Sequence, residues 1–178
     1  MDREFILDGV RFGFKIVHAD QINVDTARQR NHHSAVDPDN IDKVQEAIMT
    51  ELSHGRYKIA TTPPKIISPL GALVKPSGDI RLIHDCSRPA GRSLNDFAPY
   101  DSVHFKSLDD AKDFITPACW MAKADLSQAY RSVKIHESNY CATGLAWTFI
   151  GDTEETILCD TRLPFGASRS VYVFDKLS

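Results

Sequence analysis

The stretch Ala122-Lys123-Ala124-Asp125-Leu126-Ser127-Gln128-Ala129-Tyr130 decides the fold of this 178-residue chain. The mainly apolar run Trp120 to Asp125 predicts a short strand that ends on one carboxylate. Leu126 to Tyr130 predicts a tight bend or one turn of helix that ends on an aromatic side chain. About forty residues after Asp125, Leu163-Pro164-Phe165-Gly166 predicts a second turn, and a helix is expected from Ala167 to Leu177.

The composition is typical of a globular protein, with 42% hydrophobic and 25% charged residues. No apolar run approaches the roughly 20 residues of a membrane-spanning helix, and the N-terminus lacks the apolar core of a signal peptide. The four cysteines form no Cys-x-x-Cys pair, which favours buried or half-buried free thiols in a reducing compartment. We therefore expect an intracellular protein, in the cytoplasm or nucleus, without a membrane partner.

The formal net charge of −3 hides an uneven distribution along the chain. Residues 56–92 hold seven Lys and Arg against two Asp, whereas acidic residues are in excess on both sides of this segment. A basic segment of this kind can face the phosphates of nucleic acids or nucleotides. The alternative is a solvated surface of a hairpin.

Local patterns predict the regular elements that surround these two turns. Ile41, Val44, Ile48 and Leu52 recur with helical spacing between a candidate N-cap, Asn40, and a candidate stop, Gly55. Two strands, 66–75 and 79–85, are predicted on either side of Pro76-Ser77-Gly78-Asp79, which has the composition of a hairpin turn.

Further elements are predicted on both sides of Asp125. Ser107 and Asp110 have the spacing of a capping box at the start of a helix that ends near Ile115. Strands are predicted at 133–136, 140–150 and 156–159, and residues 19–38 are predicted to form a loop or connector. The order of elements favours an α+β domain with hairpins over a doubly wound sheet, which would alternate strand and helix regularly.

Four separated motifs then resemble the reverse transcriptases of retroelements. Residues 69–85 resemble the fingers hairpin, 87–96 continue the match, and 122–130 and 163–166 resemble motifs A and B of the palm. Among retroelements the chain is most similar to the DIRS-like, tyrosine-recombinase type. The resemblance implies an α+β right-hand polymerase fold. Its expected parts are an N-terminal extension at 1–38, fingers at 39–118 and a partial palm at 119–178.

The resemblance implies a metal-dependent reaction at motif A. Asp125 would be the catalytic carboxylate and, with the backbone carbonyl of Leu126, a ligand of a divalent cation. In a complete palm two ions, Mg²⁺ or Mn²⁺, would activate the primer hydroxyl and hold the triphosphate. A lone strand-end Asp that caps the next turn is the alternative role.

The resemblance also implies a binding site for the incoming dNTP. Lys75 and Arg81 would hold the triphosphate, and Gln128 and Ala129 would meet its tail with backbone N–H groups. Tyr130 would exclude a ribose 2′-hydroxyl by steric clash. The turn Phe165-Gly166 would bring the backbone close to the nucleotide or template–primer.

The family's second catalytic motif, Tyr/Phe-x-Asp-Asp, does not occur in these 178 residues, where the single Asp-Asp pair is Asp109-Asp110. We therefore expect a chain that ends before this hairpin, without the remaining palm, thumb and RNase H regions of a parent polyprotein.

Three hypotheses remain open. The first is a reverse transcriptase fragment whose parent binds an RNA or DNA template–primer and dNTPs and makes DNA from RNA. These 178 residues alone are then predicted not to extend a primer. The second is an inactive retroelement remnant that binds nucleic acid or protein. The third is an unrelated α+β domain.

Overall fold

A computed structural model describes residues 2–23, 25–103 and 105–177. Its α-helices are α1 (Asp2–Phe12), α2 (His33–Val36), α3 (Ile41–Ser53), α4 (Leu108–Ala111), α5 (Ala129–Ser132) and α6 (Ser168–Leu177). Its strands are β1 (Ala27–Arg28), β2 (Tyr57–Ile59), β3 (Ile66–Ile67), β4 (Leu70–Val74), β5 (Ile80–His84), β6 (Gly144–Trp147) and β7 (Thr156–Asp160). Short 3₁₀ turns lie at Ala19–Gln21, Leu94–Phe97, Lys112–Phe114 and Glu137–Ala142. None of the described helices is long and apolar enough to cross a bilayer.

The strands form one mixed sheet and one separate hairpin, which confirms the α+β class. The five-stranded sheet has the order β1-β3-β6-β7-β2, with β1, β3 and β6 parallel and with β7 antiparallel to both β6 and β2. β4 and β5 pair only with each other, in antiparallel register. The five-stranded sheet takes strands from each of the segments 1–38, 39–118 and 119–178, whose domain boundaries remain a prediction.

The buried apolar residues form two clusters, and both include residues of the sheet. In one, Val44 and Ile48 of α3 pack with Leu145, Trp147 and Leu158 of β6 and β7. The other joins the segment after α1 to the start of α6 and to the Pro-Phe-Gly turn, through Phe14, Ile16, Leu163, Ala167 and Val173. Both clusters use residues that are far apart in sequence, so the core depends on long-range contacts.

The predicted helix that begins after Asn40 and the predicted hairpin with its turn at residues 76–79 are confirmed. Helix α3 has the expected bounds, although the side chain of Asn40 donates to the carbonyl of Ser34 at 3.2 Å instead of capping the helix. The hairpin turn closes with the amide of Lys75 donating to Asp79 O at 2.8 Å, and Gly78 adopts a φ of 86° that suits glycine. The predicted strand 66–75 is divided, because Ile66–Ile67 joins the main sheet.

The predicted strand at Trp120 to Asp125 is wrong. These residues have no regular structure, and the side chain of Trp120 is fully exposed. A strand needs a hydrogen-bonded neighbour, and no strand in the described part of the chain pairs with this segment. The helix predicted after Ser107 does form, as α4 and a 3₁₀ turn, with the expected capping box.

Other local predictions are corrected by tertiary contacts. The expected connector at residues 19–38 contains β1 and α2, and Ile22, Ala27 and Ala35 are completely buried. The strand predicted at 133–136 is reduced to isolated bridges, and the strand predicted at 140–150 begins only at Gly144. Helix α1 at the N-terminus extends over 11 residues.

All four cysteines are free thiols, as the sequence predicted. Cys86 and Cys159 are buried and Cys141 is half-buried, but Cys119 is exposed, contrary to expectation. Burial raises the pKa of the Cys159 thiol to about 11. The buried thiols are therefore held in their neutral form at physiological pH.

Candidate functional site

An open cleft of about 840 Å³ lies between helix α3, the β4–β5 hairpin and the segment that leads into α5. One wall is formed by α3 and includes Lys43 and Glu46, and the facing wall is formed by the hairpin. The amino group of Lys43 donates to the carbonyl of Gly78 at 2.8 Å and ties the hairpin turn to the helix. The shape of the cleft therefore depends on the position of the hairpin relative to α3.

The cleft brings together four of the residues that the sequence predicted for nucleotide binding. Lys75 and Arg81 line it from the hairpin, Gln128 from the segment before α5, and Phe165 from the Pro-Phe-Gly turn. The guanidinium carbon of Arg81 lies 6.0 Å from the centre of the Phe165 ring, within range of a cation–π contact. Two cations, an amide and an aromatic ring therefore share one solvent-filled space.

Gln128 has an unusual backbone conformation at this point. Its φ of 53° lies in the left-handed region, and it directly precedes α5. The side chain of Arg56 donates to Oε1 of Gln128 and so joins the start of α5 to β2. For a non-glycine residue this backbone conformation costs about 1 kcal/mol or more of conformational free energy, so the surrounding contacts must hold it in place.

The Pro-Phe-Gly turn packs tightly against the end of β5. A Cβ atom at Gly166 would lie 1.9 Å from the carbonyl oxygen of His84, so glycine is required by this approach. The side chain of Asn95 donates to the carbonyl of Gly166 at 3.0 Å and accepts from the amide of Ser168 at 2.9 Å. These contacts hold the backbone next to Phe165, which lines the cleft.

Other predicted site residues lie near the cleft but are not among the described residues that line it. Tyr130 is half-buried behind Phe165, with ring centres 5.3 Å apart, and its ring also contacts Phe174 at 5.3 Å. Ala129 is the first residue of α5, and Gly166 packs against the carbonyl oxygen of His84. Their predicted contacts with a nucleotide stay predictions.

Asp125 and Leu126 lie in the exposed, irregular segment before α5. They do not line the cleft in the described part of the chain. No group of three or more metal-ligating side chains occurs among the described residues, so Asp125 is not part of a complete carboxylate site there. A single carboxylate has suitable chemistry for Mg²⁺ but does not by itself make a site.

The floor of the cleft is a buried network of charges that the sequence analysis missed. Arg131 donates to Asp160 at 2.7 Å and to Glu51 at 2.6 and 3.0 Å, and its side chain is only 9% exposed. Arg56 lies 2.9 Å from Glu51, and the ring of Tyr57 lies 5.4 Å from the Arg131 guanidinium carbon. The network joins α3, β2, α5 and β7 beneath the nucleotide-binding candidates.

The buried carboxylate of Asp160 is stabilised in its charged form. Burial alone would raise its pKa, but Arg131 and His84 outweigh burial, so the pKa of Asp160 lies below its ordinary value. Its other oxygen accepts from the amide of Arg162 at 2.9 Å. Asp160 thus contributes to stability as an anion.

This depressed pKa predicts how stability responds to acid. Stability from Asp160 should be fully present above the unfolded-state pKa of about 3.9 and lost as pH falls through the lower folded-state pKa. We expect Asp160→Asn to reduce the loss of unfolding free energy between pH 6 and pH 3, measured by urea denaturation. The exposed substitution Asp113→Asn should leave that loss close to the wild-type value. An equal acid dependence in wild type and Asp160→Asn would contradict the assignment.

Solved structures show which fold this arrangement belongs to. The crystal structure of native prototype foamy virus protease-reverse transcriptase matches with a TM-score of 0.64 and 19% identity over 85% of this chain. A second crystal structure of that protein, the selenomethionine-labelled CSH mutant, matches with a TM-score of 0.65 and 20% identity over 90% of this chain. The foamy viral protease-reverse transcriptase dRH in complex with double-stranded DNA matches with a TM-score of 0.64 and 18% identity over 92%. The chain therefore has a reverse transcriptase-like fold.

The match covers only part of those proteins. The chain spans 18%, 19% and 26% of the three matched chains. Comparison with protein-family models and with curated proteins found no match. At this level of identity the likeness establishes the fold, which agrees with the family that the sequence motifs indicated.

Proposed function

We propose that this chain is part of a reverse transcriptase and that its cleft binds the incoming dNTP for RNA-templated DNA synthesis. The observation that carries the proposal is the convergence of Lys75, Arg81, Gln128 and Phe165 on one cleft. The sequence motifs independently predict these four residues for one site. A DIRS-like retroelement origin is the finer proposal, supported by the motifs alone.

The hairpin cations suit a triphosphate. Lys75 is half-buried directly after β4, Arg81 is exposed on β5, and both line the cleft. An ammonium and a guanidinium donate charge-assisted hydrogen bonds to phosphate oxygens, and each such bond contributes about 1.5–3 kcal/mol. In nucleotidyl transfer the same cations would offset the charge that develops on the phosphates.

The aromatic pair suits a nucleoside. Phe165 is 48% exposed at the mouth of the cleft and Tyr130 supports it from behind. A base or sugar that packs on Phe165 would lie next to the cations that hold the phosphates. In this arrangement Tyr130 would favour dNTP over rNTP by steric clash with a ribose 2′-hydroxyl. The clash would come from the edge of its own ring and from the Phe165 ring that it holds in position.

Asp125 and the carbonyl of Leu126 are proposed ligands of one Mg²⁺ or Mn²⁺ ion. When bound in a two-ion site, such metals activate the primer hydroxyl and stabilise the leaving phosphate. The exposed position of Asp125 leaves its carboxylate accessible to a cation and to template–primer. This role supports nucleotidyl transfer in a protein that supplies further carboxylates.

Nucleotide titration tests the proposal. We expect a fluorescent dNTP to bind the wild-type chain in the presence of Mg²⁺, and Lys75→Ala and Arg81→Ala each to weaken binding by about 10-fold or more, as loss of one charge-assisted hydrogen bond predicts. Asp125→Ala should remove the Mg²⁺-dependent part of the affinity. Fluorescence anisotropy gives the dissociation constants.

Lys106→Ala is the matched control, because Lys106 is an exposed cation outside the cleft. It should leave the affinity for dNTP unchanged. Equal affinities for wild type and Arg81→Ala would overturn the dNTP site.

A non-catalytic nucleic-acid-binding function is the second candidate. It is favoured by the position of Asp125 outside the residues that line the cleft. In that case template–primer binding would depend on Lys75 and Arg81 but would be indifferent to both Mg²⁺ and Asp125→Ala. The same titrations, with a labelled template–primer, separate the two functions.

A further inference from the structure

A second pocket of about 480 Å³ lies on the other face of strand β2. Side chains alternate across a strand, so neighbouring residues of β2 face opposite sides. Tyr57 accordingly lines the cleft, whereas Lys58 lines the second pocket. The end of α1 and the short segments around residues 135 and 161 complete its wall. This pocket is separate from the dNTP site proposed above.

The charge of this pocket is strongly unbalanced. Four cationic side chains line it against one carboxylate, that of Glu137; the cations are Arg11, Lys58, Lys134 and Arg162. The cleft, by contrast, is lined by four basic and four acidic side chains. Among the described side chains, none of the four cations of the second pocket lies within 4.0 Å of a carboxylate oxygen.

The backbone places two of these cations directly opposite each other. Lys134 and Arg162 are partners in an isolated antiparallel bridge, and both line the pocket. Like charges at such positions are destabilising unless an anion lies between them. The guanidinium of Arg162 donates from Nη1 to the carbonyl of Ser132 at 3.5 Å. The pair of facing cations points to an anionic ligand.

Aromatic rings lie beside the cations. Phe12 lines the pocket with 65% of its surface exposed, and Tyr140 lines it with the Lys58 amino group 5.9 Å from its ring centre. Cations that alternate with exposed aromatic rings are typical of surfaces that bind single-stranded nucleic acids, because phosphates meet the charges and bases stack on the rings. The pocket size suits one or two nucleotides.

We propose that this second pocket binds the phosphates of a single-stranded nucleic acid on the face of the sheet opposite the cleft. The two cations of the Lys134–Arg162 bridge hold one phosphate, and Lys58 and Arg11 extend the basic surface towards the exposed ring of Phe12. Glu137 opposes binding. A strand held here would be anchored independently of the dNTP in the cleft.

Salt-dependent binding of a labelled single-stranded RNA oligonucleotide tests this site. We expect the double variant Lys58→Gln/Lys134→Gln to weaken binding by about 10-fold and to flatten the log–log salt dependence by about 0.7 for each lost phosphate contact. Glu137→Gln should tighten binding, an effect that misfolding cannot produce. Both lysines are exposed, so the variants should melt like the wild type.

The controls separate this site from the cleft and from free phosphate. Lys106→Gln removes an exposed cation outside both pockets and should change neither affinity nor salt slope. The double variant should keep wild-type dNTP binding, so that failure of the dNTP site does not affect this result. Unchanged RNA binding in Lys58→Gln/Lys134→Gln would overturn the proposal. Loss of pyrophosphate binding alone, with RNA binding intact, would also overturn it.

Discussion

Replacement of Arg131 by Met is expected to lower the free energy of unfolding by about 3–5 kcal/mol, the usual cost of removing one partner from a buried ion pair. The substitution keeps much of the side-chain volume but leaves the carboxylate of Asp160 without its guanidinium, while Glu51 keeps only Arg56 at 2.9 Å. Asp160 is 1% exposed and Glu51 is 15% exposed, so neither can recover full hydration. Urea denaturation at neutral pH measures the change.

An exposed ion pair provides the control for Arg131→Met. Lys112 and Asp109 lie 3.8 Å apart with side chains 66% and 91% exposed, so Lys112→Met should change stability by less than about 1 kcal/mol. Arg131→Lys should recover only part of the loss, because one ammonium group cannot reproduce the forked contacts to both carboxylates. A loss below about 1 kcal/mol for Arg131→Met would contradict a stabilising role for the network.

Gly166→Ala is expected to cost about 3 kcal/mol of unfolding free energy, at the upper end of the usual range for overpacking. The new methyl group would lie 1.9 Å from the carbonyl oxygen of His84 and 3.0 Å from the amide of Cys86. Both are backbone atoms at the end of β5, so neither can rotate away. The turn must move, and it carries Phe165 out of the cleft. Denaturation and dNTP titration on the same variant measure both effects.

Gly78→Ala is the matched control, since a Cβ atom there meets no atom within 4 Å. Its φ of 86° is unfavourable for alanine, so we expect a loss of about 1 kcal/mol, less than for Gly166→Ala. Weak destabilisation and normal dNTP binding by Gly166→Ala would show that the turn can relax, and the proposed fixed position of Phe165 would then be wrong.

The elements that were predicted correctly depend on interactions between residues close in sequence. Helix α3 follows from apolar residues at helical spacing, and the β4–β5 hairpin follows from a short turn that requires glycine at residue 78. The capping box of Ser107 and Asp110 is complete within four residues. In each case the hydrogen bonds that define the element are made between residues of that same segment.

The incorrect predictions concern segments whose structure depends on residues far away in sequence. The segment 120–125 has the composition of a strand, but a strand forms only beside a partner, and its pattern says nothing about whether one is adjacent. Residues 19–38 are polar overall, yet Ile22, Ala27 and Ala35 are buried by neighbours that lie far along the chain. Composition alone could not identify those neighbours.

The sequence by itself determined the α+β class, the hairpin with Lys75 and Arg81, the Pro-Phe-Gly turn and the resemblance to reverse transcriptases. Only the tertiary structure decided that Arg131 meets Glu51, 80 residues away, and that Tyr57 and Lys58 face two different pockets. Turns and helices are encoded by contacts over a few residues. Buried charge pairs and pocket walls instead depend on the order in which the sheet brings distant strands together.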